Sequence, residues 1–435
     1  MKKNRTIYFL LALVCLGLQS CLFQEEDYFD DSSANRATAD VKRCSELLEA
    51  APNGWVMEYY VGKDYSLGGI TLLCKFDGQR VTMASQIAGA DETVSSLYSV
   101  KSEQATMLSF DTYNYLVHYF GQPQGSMADD PNGTLGGDYE FVISDATADR
   151  IELKGKKYGN RIVMKAFSAD QTWKQYLTRI KKVEDDAFFY EYDLRMDGLY
   201  TGQMLRSNYT FIVTYYDEVG KVHQKTVPFM FTTDGMRFHE PVTIDGQTMQ
   251  NFVWKNEEIS FVCTDEGATE VKMKGIYIDG YQSYDYYPGT YLMDFYRLNG
   301  ATNQMEVASQ EIQLVKDEDG KSYWLKGLEY DILVTYDKPR GGLSILPQFL
   351  KKVQGGYVYL AMWDLMNDYV LRSSAIGLIS YPTTDGIYLV DNGVWIGEIS
   401  GFIFGVYNSQ DEEASFMGYT DAVAAIRLIK KTIEE

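Results

Sequence analysis

Hydrophobic and polar positions alternate with a period of two along most of this chain, and a helical period replaces the alternation at two places. Ala37, Val41, Cys44 and Leu48 fall at i, i+4, i+7 and i+11, lining one face of a helix that Pro52-Asn53-Gly54 ends. Period-two segments follow: GWVMEYY (54–60), GITLLCKF (69–76), RVTMASQ (80–86), SSLYSVKS (95–102) and TMLSFD (106–111). DYEFVIS (138–144), RIELKGKK (150–157) and RIVMKAF (161–167) continue them, with turn signals such as Asp77-Gly78 between. Antiparallel strands on short turns make a meander, and closing the meander leaves no unpaired edge. The second helical stretch comes next. Ser168 and Gln171 fit a capping box, and Trp173, Tyr176, Leu177 and Ile180 form one apolar stripe.

Strands resume at 187 with FFYEYDL, NYTFIVTYYD, KTVPFMFTT, NFVWK, ISFVCTD and TEVKMKGIYI. This stretch is assigned to the first module or to a small sheet beside it. A further β-rich block runs from about 285, with YPGTYLMDFY (287–296), MEVASQEIQLV (305–315), DILVTYD (331–337), GLSILPQFL (342–350) and GYVYLAMWD (356–364) as clear strands. AVAAIRLIKKT (422–432) suits a strand better than a helix. The predicted fold class is mainly β, with two antiparallel barrel-like modules at 36–275 and 285–435. One N-terminal helix and one amphipathic helix pack on the first module.

The N-terminus changes the picture. Lys2, Lys3 and Arg5 precede an apolar run, Ile7 to Leu18, that is too short to span a membrane. Leu18-Gln19-Ser20-Cys21 closes it in the layout of a secretory signal. The small residue before a cysteine resembles the lipobox of bacterial lipoproteins, in which the cysteine becomes the lipidated N-terminus. Residues 1–20 are thus expected to be a lipoprotein signal peptide and 21–35 an acidic tether, with Cys21 acylated. Gln24-Glu25-Glu26-Asp27 resembles the acidic export signal of Bacteroidetes surface lipoproteins. An ordinary signal peptide with an incidental cysteine, followed by a solvated acidic tether, is the plainer alternative.

Loss of Lys2, Lys3 and Arg5 would take the formal net charge from −21 to −24, which argues against nucleic acid or anionic lipid as a charge-driven partner. The membrane link would be outer-membrane lipid, through the acyl chains on Cys21. Cys44, Cys74 and Cys263 remain after cleavage, none in a CxxC pair, so a structural zinc site is not expected.

Candidate chemistry is sparse. His118, His223 and His239 are the three histidines; His239-Glu240-Pro241 does not extend to HExxH, and each reads best as structural. No G-x-S-x-G elbow is present. Asp129-Asp130-Pro131-Asn132-Gly133 and Asp317-Glu318-Asp319-Gly320 lack the ligand spacing of a calcium loop and read as turns. With 61 acids, no carboxylate pair can be singled out for glycoside hydrolysis. No catalytic residue, metal ligand or cofactor is therefore assigned. The most distinctive cluster is GIYIDGYQSYDYYPGTYLMDFY (275–296), with seven tyrosines. If Tyr281, Tyr284, Tyr286 and Tyr287 lie on a loop they make a ligand platform; the alternative is tyrosines packing on two strands and their turn.

APNGWVMEYY (51–60), GGITLLCKFDGQRVTMAS (68–85), SSLYSV (95–100), LSFDTYNYLVHYF (108–120), GGDYEFVIS (136–144) and IELKGKKYGNRIVM (151–164) occur in an order that resembles the DUF4302 family of Bacteroidetes lipoproteins. The resemblance spans roughly 35 to 265, and the region beyond 285 looks like a lipocalin-like barrel. The resemblance implies an outer-membrane, surface-exposed accessory lipoprotein acting beside SusC/SusD-like importers, binding a peptide or glycan or the importer itself. It carries no catalytic residues. A surface hydrolase that acts before import and a pilus-type adhesin subunit are the alternatives. Within the matching stretch, Asp111, Asn114 and His118 can either pin a helical turn or face a pocket, while Trp55 and Phe110 are expected inside the barrel.

Overall fold

The computed structural model describes residues 32–122, 134–217, 219–411 and 413–431. Cys21, the signal, most of the acidic tether and Asp129–Gly133 lie outside them.

The chain is built from strands closed into rings. Eight consecutive strands, β1 (Trp55–Val61) to β8 (Arg161–Ala166), form a closed antiparallel barrel in sequence order, sealed by β1 against β8. β1 shows the logic. Trp55, Met57, Tyr59 and Val61 point into the barrel core, and Val56, Glu58 and Tyr60 point outward. Helix α1 (Ser33–Ala50) lays Cys44 and Leu48 onto that core, and its Leu48 carbonyl accepts from Trp55 Nε1 at 2.9 Å.

A short helix, α2 (Tyr115–His118), follows β5 (Thr106–Phe110). Helix α3 (Trp173–Asp186) docks Leu177 on the outer wall, against Val56, Leu73 and Phe167. Its capping box differs from the expected one. Gln175 N donates to Thr172 Oγ1 at 3.2 Å, and Thr172 N donates to Gln175 Oε1 at 2.9 Å. The box is Thr172/Gln175, four residues beyond Ser168/Gln171, because the Trp173 stripe begins only there.

Residues 191–276 do not extend the first barrel. They close on themselves as a second eight-stranded barrel, β9 (Glu191–Met196) to β16 (Lys272–Ile276), in the order β10 to β16 and then β9. The module expected at 36–275 therefore contains two rings.

The third sheet joins β17 (Gly289–Asn299), β18 (Gln304–Lys316), β19 (Ser322–Lys326), β20 (Ile332–Asp337) and β21 (Gly342–Ile345). The path continues past β22 (Gln348–Val353), β23 (Gly356–Asp364) and β24 (Tyr369–Leu371) to β25 (Leu378–Thr383) and β26 (Gly386–Asp391). β27 (Gly401–Tyr407) and β28 (Phe416–Lys430) complete it. Because β28 pairs with both β26 and β17, strands 17 to 21, 25, 26 and 28 make an eight-membered ring. β28 also pairs with β27, which continues the sheet to β23 and β22 outside the ring. It serves both by bending: its register shifts on either side, and Ala425 takes φ 50°. The run GLSILPQFL is broken at Pro347, which has no N–H for a ladder, so β21 stays in the ring while β22 leaves it.

The chain divides into two compact units. One holds the first barrel and most of the second; the other holds the third sheet with Ala187–Leu194 and Gln203–Leu205. Among the described residues no helix is long and apolar enough to cross a membrane.

Candidate functional site

The outward face of β1 carries an acid where its neighbours are apolar. Glu58 lies opposite Val163 of β8, and Val163 lies opposite Glu152 of β7 (Arg150–Gly155). Arg161 and Lys165 flank Val163 on the same face, and Arg150 sits opposite Lys165. Strand register alone thus weaves two carboxylates into a patch of cations.

Each carboxylate is held the same way. Glu58 Oε1 accepts from Lys165 Nζ at 2.6 Å, and Glu58 Oε2 meets Arg237 Nη2 at 2.5 Å. Glu152 Oε1 accepts from Arg150 Nη2 at 3.0 Å, and Glu152 Oε2 accepts from Arg161 Nη2 at 3.2 Å. Burial works to raise the Glu58 pKa, but Arg237 and Lys165 overcome it and hold the group below 4.5. Glu152 is also held down, chiefly by its bond from Arg150 and then by Arg161.

Arg237 arrives from β13 (Gly235–Ile244) of the second barrel, in the same unit. Its ladder with β14 (Gln247–Lys255) slips between Arg237 and Val242, so the stretch containing His239, Glu240 and Pro241 bulges. Pro241 donates no backbone hydrogen bond, and the Gln250 side chain serves the displaced carbonyls, donating to Phe238 O at 3.2 Å and His239 O at 3.4 Å. The bulge aims the His239 ring at Tyr60 and Tyr65, with centroids 4.2 and 4.0 Å away. Burial lowers the His239 pKa from 6.5; Glu240 opposes this and Arg237 reinforces it.

Tyr65 reaches this position from a strained turn. Asp64 and Tyr65 both take left-handed backbone, at φ 54° and 61°. For a bulky residue such as tyrosine that conformation is uncommon and costs energy. The Tyr60 hydroxyl is buried beside the Arg237 guanidinium and makes no well-formed hydrogen bond. Together these groups line a cleft of about 440 Å³. Tyr65, His239 and Glu240 also line an adjoining hollow of about 150 Å³. A further hollow, of about 570 Å³, lies at the start of α3 beside Asn53 and Trp173, but no ion cluster converges on it.

The four tyrosines singled out from the sequence lie elsewhere, in the other unit. Tyr287 is fully buried, and its hydroxyl donates to Gly341 O at 2.8 Å. Tyr284 is half-buried and donates to Ser322 O at 2.8 Å. Tyr281 is half-buried, 3.1 Å from the Tyr336 hydroxyl that donates to it, and stacks on Phe188. Tyr286 alone of the four has an exposed ring, beside Lys430.

Asn114 is buried as the cap of α2. Its side chain accepts from Leu116 N and donates to Ser96 Oγ, and its backbone N donates to His118 Nδ1 at 3.1 Å. Asn114 and His118 thus pin the turn. Trp55 and Phe110 fill the first barrel. His223 lies 2.8 Å from Asp217. Cys44, Cys74 and Cys263 are buried free thiols. Among the described residues no group of three or more His, Cys, Asp or Glu is placed to hold a metal.

Comparison with known proteins agrees with the first barrel's motifs. A family described as "Domain of unknown function (DUF4302)" matches residues 25–256, more than half of the chain. The chain belongs to the DUF4302 family. A second domain of unknown function, DUF4987, matches residues 264–390. No curated protein matches. A solved structure titled "The Structure of Intact Ap-TbpB (N and C lobes)" is 11% identical, with 84% of this chain and 67% of that one covered. Its TM-score is 0.12, too low for a statement about fold. The DUF4302 match contains Glu58, Tyr60, Tyr65, Arg237 and His239, so the whole cleft falls within it.

Proposed function

We propose that this DUF4302 protein is a lipid-anchored accessory protein of the cell surface that binds an oligomeric ligand, a peptide or glycan, for a SusC/SusD-like importer. The observation that carries the binding role is the cleft. Three rings and two carboxylates with each oxygen held by a different cation converge there, next to a second hollow that would accommodate a further ligand residue. Carboxylates held ionised suit the accepting of ligand hydrogen bonds and ill suit general-acid work, which needs a raised pKa. The lipid anchor and the location rest on the Leu18–Cys21 layout.

The test is titration of full-length protein in mild detergent with a panel of neutral oligosaccharides, acidic oligosaccharides and peptides. At least one class should bind, and Tyr65→Ala should weaken it about tenfold. Binding by none, or binding that ignores Tyr65→Ala, would overturn the role of the cleft.

One observation favours a second reading, a surface hydrolase. The neutral His239 imidazole opens on the cleft and is able to serve as a base toward water. Turnover of any panel member, abolished by His239→Gln with binding retained, would establish it.

A further inference from the structure

The cleft departs from the charge of the chain that builds it. The chain carries a formal −21, yet Arg150, Arg161, Lys165 and Arg237 face only Glu58, Glu152 and Glu240 across the cleft. From this surplus we infer that the ligand of the cleft is an acidic oligosaccharide, carrying carboxylates along a hydroxyl-rich chain. The inference rests on the binding role proposed above.

Backbone pairing separates glycan from peptide. Extended peptides commonly dock by adding a strand to a free sheet edge. Here Glu58 is paired on both sides, with Thr71 and with Val163, and Val163 is paired in turn with Glu152. On the wall made by β1, β8 and β7 no main-chain edge is free, so side chains must do the recognising there.

Those side chains suit a sugar. A carboxylate with both oxygens fixed is a rigid acceptor for ring hydroxyls, and each arginine has five N–H donors, of which these salt bridges use few. Arg161 spends Nη2 on Glu152 while its side chain remains 75% exposed, leaving donors for a ligand carboxylate. The Tyr60 hydroxyl, buried beside the Arg237 guanidinium, is able to donate to or accept from a ligand hydroxyl. The Tyr65 ring borders both hollows and offers an apolar surface to a sugar ring.

The experiment uses full-length protein in mild detergent and three probes: galacturonate oligomers, galactose oligomers of the same length, and poly-glutamate. Galacturonate oligomers should bind at least about tenfold more tightly than their neutral counterparts, and the difference should shrink as salt is raised. Arg161→Gln should weaken galacturonate binding severalfold more than it weakens any galactose binding, and leave the circular dichroism spectrum unaltered. Galactose oligomers binding as tightly, or poly-glutamate binding in place of galacturonate, would overturn the acidic-glycan inference and leave the binding role standing. Binding of none of the three would overturn the acidic-glycan inference, and the binding role would then fall only if the wider panel also failed.

Discussion

The carboxylate of Glu58 on β1 and the guanidinium of Arg237 on β13 meet at 2.5 Å, and the pair fastens the outer wall of one barrel to that of the next. Both side chains are mostly buried, 13% and 23% exposed. Removing one member of such a pair leaves the other desolvated and uncompensated. Glu58→Gln should destabilise the protein by about 2 to 3 kcal/mol in urea unfolding. A change below about 0.5 kcal/mol would show the pair to be an ordinary surface bridge.

Acid should act through His239. Its pKa in the folded chain lies below 6.5, so on acidification the unfolded chain takes up this proton first. Between 6.5 and the folded value the unfolded state holds the extra proton, and stability falls as pH drops through that window. Below the folded value this contribution levels off. The denaturation midpoint of wild type should therefore fall more between neutral and mildly acidic pH than that of His239→Gln. Parallel slopes would refute this.

The capping box of α3 offers a clean local test. Thr172→Ala removes the acceptor for Gln175 N and should cost about 1 kcal/mol. Ser168→Ala should cost less than about 0.5 kcal/mol. Equal losses in thermal melts would show that the helix begins earlier.

The buried thiols should be sluggish. Desolvation raises the pKa of Cys74 far above that of a free thiol, and lifts Cys263 to about 11. Thiolate is the reactive form, so neither should react with a soluble disulfide reagent until the chain unfolds. Fast labelling of Cys74 or Cys263 in native protein, read by mass spectrometry, would contradict the packing.

The anchor is tested separately. Cys21→Ser should abolish acyl labelling and release the protein from the envelope fraction. A serine variant that keeps lipid would sink the lipoprotein reading.

Much of the architecture could be read along the chain because a strand's period is local. WVMEYY alternates in the sequence as it does in β1, and the Ala37–Leu48 face became α1. Ring closure could not be read that way. Which distant strands meet, β1 with β8 or β17 with β28, depends on loop paths and cumulative twist that no short window contains. Hence the alternation over 191–276 is compatible with the first module or with a separate sheet beside it, and only the pairing shows that these strands close on themselves.

The cleft was hidden for the same reason. Glu58 and Arg237 lie in different barrels, and His239-Glu240-Pro241 read alone is no more than a truncated zinc motif. The usable signals were a lone acid within an otherwise apolar strand and a proline inside a strand, which marks a bulge. The tyrosine-rich segment drew notice through composition, yet three of its four chosen rings are wholly or partly buried, their hydroxyls bonded within that unit.

The bent strand β28 has a consequence for biosynthesis. The third ring cannot be sealed until β28 meets β17, so the ribosome must deliver every intervening strand before the seam can form. Until then β17 holds an open flank. Stopping translation just before Phe416 should therefore leave the upstream strands of this unit sensitive to protease, and adding the final strand should protect them together.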